Sequence, residues 1–350
     1  MTIDKLLPGI QKNVLLNNYT TFRIGGKSKY FFAAKTKKDL ISAIKTAKEL
    51  KLPFFVLGGG SNLLVGDNTY NGLIIKIQFS KFYFLNSKII AEAGTRLGDL
   101  VNASVEKSLT GLEWAAGIPG TVGGAINGNA GAFGKSMKDV VRTVEVLDIK
   151  KLKTELPLPK EAKVKKRTSF SSSFKELRNK DCKFDYRDSI FKKNKNLIIL
   201  SAEIKLKKGN KDKITGKIKK YLEYKKNTQP LNYPSTGSVF KNPKSSSSST
   251  ELPKEVKVRK RMKFSCDFAA ARIGKEDKSS SLSFDAARMI EECGLKGKKI
   301  GNAKISEKHA NFIVNLGFAQ AKDVKKLIKL IKQKVKNKFG VVLKEEIEIL

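Results

Sequence analysis

Gly111-Leu-Glu-Trp-Ala-Ala-Gly-Ile-Pro-Gly-Thr-Val-Gly-Gly-Ala-Ile-Asn-Gly-Asn-Ala-Gly-Ala-Phe-Gly134 holds eight of the chain's 27 glycines. That density excludes a long helix and a regular central strand, because each glycine loses much backbone entropy on ordering and brings no side chain to pack. What it offers is access. Without Cβ atoms, successive amides approach a ligand closely and form a nest for pyrophosphate oxygens without a cationic side chain. Gly58-Gly-Gly-Ser-Asn62, delivered by the apolar run Phe54-Phe-Val-Leu57, offers the same chemistry. Either loop alone reads equally well as tight turns. Two of them, each following an apolar segment, point to a large phosphate-bearing cofactor.

The common nucleotide patterns do not fit. Gly134-Lys-Ser136 imitates the end of a P-loop, but Asn129 stands where the first glycine belongs. Gly58-Gly-Gly is followed by Ser-Asn-Leu, so the third glycine of the dinucleotide fingerprint is missing. A cofactor bound by another fold is implied.

Around these loops strands and helices alternate. Lys29–Ala34 reads as a strand; Thr36 and Asp39 then form a capping-box pattern before Leu40, Ile41, Ile44 and Ala47, which share a helical face. A second helix is expected from Thr95, with Leu97, Leu100, Val101 and Val105 on one side. Further helices are expected around Ile214 to Leu222, Phe284 to Cys293 with Gly294 as the stop, and Val324 to Phe339 with Gly340 as a C-cap. The polar face of the last is nearly all lysine, which suits a helix docked on a domain better than one lying on a membrane.

With 350 residues, 40% of them hydrophobic, the chain can bury the cores of two or three packed domains. No apolar run approaches the roughly 18 residues of a spanning helix, and Met1-Thr-Ile-Asp-Lys lacks a basic-then-apolar leader. A cytoplasmic location without membrane insertion is expected. Cys182, Cys266 and Cys293 show no CxxC spacing, so they read as reduced thiols, with neither a disulfide framework nor a metal site.

The net charge of +38 raises nucleic acid as a partner, yet only ten of the 71 basic residues are Arg and the lysines run along nearly the whole chain. The pattern reads as a lysine-biased surface rather than specific nucleic-acid binding. Its field should still attract a diphosphate substrate or a dinucleotide. A segment also recurs: Leu158 to Phe174 matches Leu252 to Phe268 at eleven of 17 positions. Two copies do not make a solenoid. Beside serine runs and rich in positive charge, the stretches near 155–178 and 244–282 read as in-frame insertions forming surface excursions.

Six motifs carry a resemblance to a known family. Asn18-Tyr-Thr-Thr-Phe-Arg-Ile-Gly-Gly26, Val56 to Leu64, Gly111 to Gly134, Tyr186-Arg-Asp-Ser-Ile-Phe191, Gly237-Ser-Val-Phe-Lys-Asn-Pro243 and Glu307-Lys-His-Ala-Asn-Phe312 follow in family order. Together they resemble the flavin-dependent UDP-N-acetylenolpyruvoylglucosamine reductases over about residues 16 to 347. The resemblance implies an α+β protein: a two-subdomain FAD-binding domain of the vanillyl-alcohol-oxidase type (1–78 and 79–228), followed by an α+β substrate-binding domain (229–340) and a C-terminal segment (341–350). It implies FAD as cofactor, NADPH as co-substrate and a small-molecule UDP-sugar as substrate.

The same resemblance assigns residues. Gly58, Gly59, Gly60, Ser61 and Asn62, with Gly117, Ile118, Pro119, Gly120, Gly123 and Gly124, would hold FAD. Arg187 would meet the substrate carboxylate, a role suited to a permanent, bidentate cation. Ser238 would be the proton donor, and Glu346 would assist the carboxylate or the proton relay. Tyr186, Asn242 and His309 would line the substrate site.

Overall fold

The computed structural model describes residues 2–152, 173–243 and 285–350. In the first sheet Gln11–Leu15 runs antiparallel to Lys27–Ala34, which lies parallel to Tyr70–Ile77, itself parallel to Phe54–Leu57. The helix Lys37–Glu49 makes the crossover from Lys27–Ala34 to Phe54–Leu57. Its start is the expected capping box: Thr36 Oγ1 accepts the Asp39 N–H, and the Asp39 carboxylate accepts the Thr36 N–H at 2.9 Å. Such a cap contributes about 1 kcal/mol. Leu40, Ile41, Ile44 and Ala47 are all buried, as their spacing requires.

The second sheet is antiparallel, in the order Phe174–Arg178, Val141–Asp148, Leu197–Lys205, Lys88–Glu92, Phe82–Leu85. One apolar cluster runs through both sheets, joining Leu40, Ile44 and Leu73 to Ile89, Val144 and Leu200. The glycine-rich stretch supplies only a short helix, Val122–Asn127, which buries Val122, Ala125 and Ile126 in that cluster.

A third antiparallel sheet, Ser235–Ser238, Phe312–Asn315, Ala303–Ile305 and Lys299–Ile300, packs against the helices Ala286–Glu292 and Ala321–Phe339. Val324, Leu327, Ile328, Ile331 and Val335 face its core, and Gly340 ends the long helix at φ 68°. This core also takes in Phe22, Ile24 and Leu64 from the N-terminal region. The last strand, Glu348–Ile349, returns to pair in parallel with Leu63–Leu64, just beyond Asn62.

Several expectations change in detail. The second helix starts at Leu97, not Thr95, whose N–H closes a turn onto the Glu92 carbonyl. The helix expected over 214–222 extends to Lys211–Thr228, because Asn210 caps it through the Lys213 N–H and its lysine-rich turns contain no proline. The helix after the second repeat begins at Ala286, capped by Asp285; Phe284 lies outside the described residues.

The excursion expected near 155–178 needs correction at its end. Phe174–Arg178 is an edge strand, paired with Thr143–Leu147, and Phe174 and Leu177 pack on the common core. Residues 153–172, the excursion at 244–282 and Cys266 lie outside the described residues. Cys182 is buried, and its thiol is pushed up to about 12 by desolvation, so it stays protonated and inert. Among the described residues no helix is long and apolar enough to cross a membrane.

Candidate active site

The two glycine loops meet face to face. A Cβ on Gly59 would lie 2.6 Å from the Gly120 Cα, one on Gly120 2.5 Å from Ser61 Oγ, and one on Gly58 2.9 Å from Thr121 Oγ1. Only glycine allows that approach. Ser61 Oγ donates to the Pro119 carbonyl at 3.1 Å, joining the loops directly. Behind them, Thr21 donates its N–H to the Gly60 carbonyl at 3.1 Å and its hydroxyl to the Ser235 carbonyl at 2.8 Å. The Asn18–Gly26 motif thus ties the first loop to the third sheet.

These loops fit a phosphate-bearing group. Among the described residues, the amides of Gly58, Gly59, Gly60, Ser61 and Asn62 donate to no protein acceptor, and neither do those of Gly120 and Gly124. The buried Thr121 hydroxyl likewise has no partner. Unpaired donors in a cleft are what a diphosphate satisfies. The Asn62 side chain is committed elsewhere, donating to the Glu346 carbonyl at 3.1 Å.

That bond leads to the second half of the site. Arg187 sits on the turn Asp185–Asp188 with φ 51°, a strained conformation for a side-chain-bearing residue. Its Nη1 donates to the Gly131 carbonyl at 2.8 Å, and its Nε lies 2.8 Å from Glu346 Oε1. The two groups form a part-buried charged pair, and Arg187 pulls on the Glu346 carboxyl by charge and by hydrogen bonding. Arg187 pairs with neither neighbouring aspartate; Asp188 instead meets Lys193. Of the C-terminal glutamates, Glu345 pairs with Lys332 and Glu348 with Lys195, leaving Glu346 to face Arg187.

Ser238 closes this arrangement from the third sheet. The Glu346 N–H donates to the Val239 carbonyl at 2.8 Å, and Phe240 bridges Glu345, so the C-terminal segment lies along the chain that leaves Ser238. Burial raises the Glu346 carboxyl above its ordinary value, against the opposing pull of Arg187 and Lys192. Lys192 also donates to the Glu346 carbonyl at 3.1 Å; desolvation, then Lys241, lowers its own value.

Tyr186 and Asn242 join the same region: the Tyr186 hydroxyl accepts the Asn242 N–H at 3.3 Å, and the Arg187 guanidinium lies 5.7 Å from the Tyr186 ring centre. His309 stands apart. Its Nδ1 accepts the Asn311 N–H at 3.3 Å, its ring centre lies 4.7 Å from that of Phe312, and burial lowers its value. Sequence reasoning passed over Asn311, which clamps the Ser238 strand through the Val239 N–H, the Phe240 N–H and the Phe240 carbonyl. It also passed over Lys192, Lys225, Thr21 and Thr121. Of these, only Asn311, Thr21 and Thr121 lay in quoted motifs.

Comparison with known proteins agrees with this division. Residues 28–151 match a family model described as an FAD binding domain, so the loops belong to a flavin-binding oxidoreductase. Residues 229–350 match the C-terminal domain of UDP-N-acetylenolpyruvoylglucosamine reductase. Reductases of that name from Caldanaerobacter subterraneus subsp. tengcongensis and Clostridium novyi are 36% and 34% identical; the alignments cover 99% and 97% of this chain and 97% and 92% of theirs. The crystal structure of the Thermus caldophilus reductase aligns with a TM-score of 0.68 at 30% identity, covering 96% of this chain and 97% of that one. The chain belongs to the UDP-N-acetylenolpyruvoylglucosamine reductase family.

Proposed function

We propose that Arg187, Glu346 and Ser238 carry the NADPH-dependent reduction of UDP-N-acetylglucosamine enolpyruvate to UDP-N-acetylmuramate, a step toward peptidoglycan precursors. FAD, when bound at the glycine loops, supplies hydride transfer between NADPH and the substrate. The observation that carries the reading is Arg187: a half-buried permanent cation on strained backbone, paired with Glu346 and the Gly131 carbonyl and carrying further fork donors. A substrate carboxylate would be fixed by the remaining fork donors. Negative charge that builds beside that carboxylate during reduction would be stabilised by the same cation.

Ser238 then gives a proton to the substrate carbon next to the carboxylate. Glu346 assists the relay, since burial brings its carboxyl nearer to a group that exchanges protons around neutrality. Tyr186 and Asn242 frame the substrate, and the family motif assigns His309, a ring that burial favours as neutral, to the same site. We assign residues 1–78 and 79–228 to flavin binding, 229–340 to substrate binding and 341–350 to delivery of Glu346. A cytoplasmic site of action follows from the expected substrates, a nucleotide sugar and NADPH.

The purified protein should be yellow, bleach on addition of NADPH and recolour when UDP-N-acetylglucosamine enolpyruvate is added. A protein that neither releases flavin on denaturation nor takes up added FAD would contradict the reading. So would reduced flavin that the substrate fails to reoxidise.

A further inference from the structure

Lys225, on the helix Lys211–Thr228, places a buried ammonium behind the Gly117–Gly124 loop. The residue is 5% exposed, and its Nζ donates to the Ala116 carbonyl at 2.6 Å. The Phe133 ring centre lies 5.8 Å from Nζ, and Phe133 is itself stacked on Tyr221 at 3.8 Å. Among the described residues no carboxylate comes within the 4.0 Å of an ion pair. An ammonium has three donors, and among the described residues one is used.

Burying a charge without a counter-charge is costly, so such a group points to an anion supplied from outside the chain. Burial pulls the Lys225 ammonium down to about 8, which still leaves it charged at neutral pH. The loop in front of it is open beside Lys225, at Gly117. Gly117 is exposed at φ 69°, and a Cβ there would sit 3.8 Å from Nζ and 3.0 Å from Leu222 Cδ2. Glycine at that position keeps the space beside the ammonium clear. Lys76 repeats the construction at the other loop, donating to the Gly58 carbonyl, but it is less deeply buried.

We propose that Lys225 pairs with negative charge on bound FAD and is a cofactor-binding residue in addition to the two glycine loops. This rests on the reading that the Gly117–Gly124 loop holds FAD. The cofactor carries that charge in two places: on its diphosphate in both redox states, and on the isoalloxazine ring once reduced.

The test compares Lys225→Met, similar in length but uncharged, with Lys225→Arg and with Gly124→Leu. Gly124 is exposed, and an added Cβ would meet only Thr121 Oγ1 at 3.6 Å, so leucine there should fold yet obstruct the loop's open face. For each variant one measures thermal unfolding of the apoprotein, affinity for FAD by fluorescence titration, and the reduction potential of the bound flavin. Lys225→Met should leave the apoprotein at least as stable as the parent. Pairing with the diphosphate weakens FAD binding about tenfold or more. Pairing with the reduced ring instead makes the potential more negative by about 30 mV or more, the equivalent of tenfold for a two-electron couple. Lys225→Arg should restore whichever quantity fell.

Unchanged affinity and potential in Lys225→Met overturn the proposal. So does an arginine variant as impaired as the methionine one, since packing rather than charge would then be at issue. If Gly124→Leu also binds FAD normally, the loop reading itself fails. If Gly124→Leu loses FAD while Lys225→Met retains both properties, only the assignment of Lys225 falls.

Discussion

At Glu346 burial and charge pull in opposite directions, and burial wins: the carboxyl is held above its ordinary value although Arg187 lies 2.8 Å away. A raised acid makes the folded chain hold a proton that the unfolded chain has released. That contribution to stability is complete at low pH and is lost as pH climbs through the window between the ordinary and the raised value. Glu346→Gln, neutral throughout, should therefore gain stability relative to the parent across that window. Thermal midpoints of the two apoproteins, measured at a series of pH values, should diverge in favour of Gln as pH rises. Divergence in favour of Glu would mean that attraction to Arg187 outweighs desolvation. The residue itself was legible in the sequence only as a family position among three neighbouring glutamates. What separates them is the partner each finds across the fold, and no local pattern encodes that.

The elements most easily read were those whose determinants are local. Thr36 with Asp39, the spacing Val324 to Val335 and the stop at Gly340 specify their helices without help from elsewhere. Phe174–Arg178 was harder, because an edge strand beside a charged serine run carries little periodicity, and its partner Thr143–Leu147 lies far back in the sequence. The C-terminal strand is a similar case. Glu348–Ile349 exists only because Leu63–Leu64 offers an edge, with Glu348 N–H to Asn62 at 3.0 Å, Leu350 N–H to Leu64 at 3.0 Å and Gly66 N–H to Leu350 at 2.8 Å. This strand holds the Glu346 segment beside the Gly58–Asn62 loop. Deleting Glu348–Leu350 should leave reduction of FAD by NADPH near normal while slowing reoxidation by substrate about 10²-fold, the usual consequence of misplacing a reacting group by an ångström or so. Stopped-flow traces of the two phases check this. Reoxidation at the parental rate would show that Glu346 needs no such anchor.

Across the whole molecule, the site is assembled from segments distant in sequence: the loops at 58–62 and 117–124, the turn at 185–188, the strand at 235–238 and the C-terminal residues. No segment holds both the glycine loops and Ser238. The FAD-binding sheets and the third sheet keep separate apolar clusters, joined by Phe22, Ile24 and Leu64 and by the returning C-terminal strand. The charge of +38 surrounds this assembly rather than defining it, although its field favours the approach of anionic substrates and weakens with salt.

In the proposed mechanism Ser238 serves only the substrate half of the reaction, and Ser238→Ala separates the halves. NADPH should bleach the flavin of this variant at a near-normal rate, since that step needs no proton delivered to the substrate. Recolouring by UDP-N-acetylglucosamine enolpyruvate should then be slower by about 10²- to 10⁴-fold, the usual cost of losing one well-placed acid. Stopped-flow absorbance reads both phases in one experiment. Rapid recolouring would remove Ser238 from the mechanism, and equal slowing of both phases would mean a folding or binding defect in place of the proton-donor role.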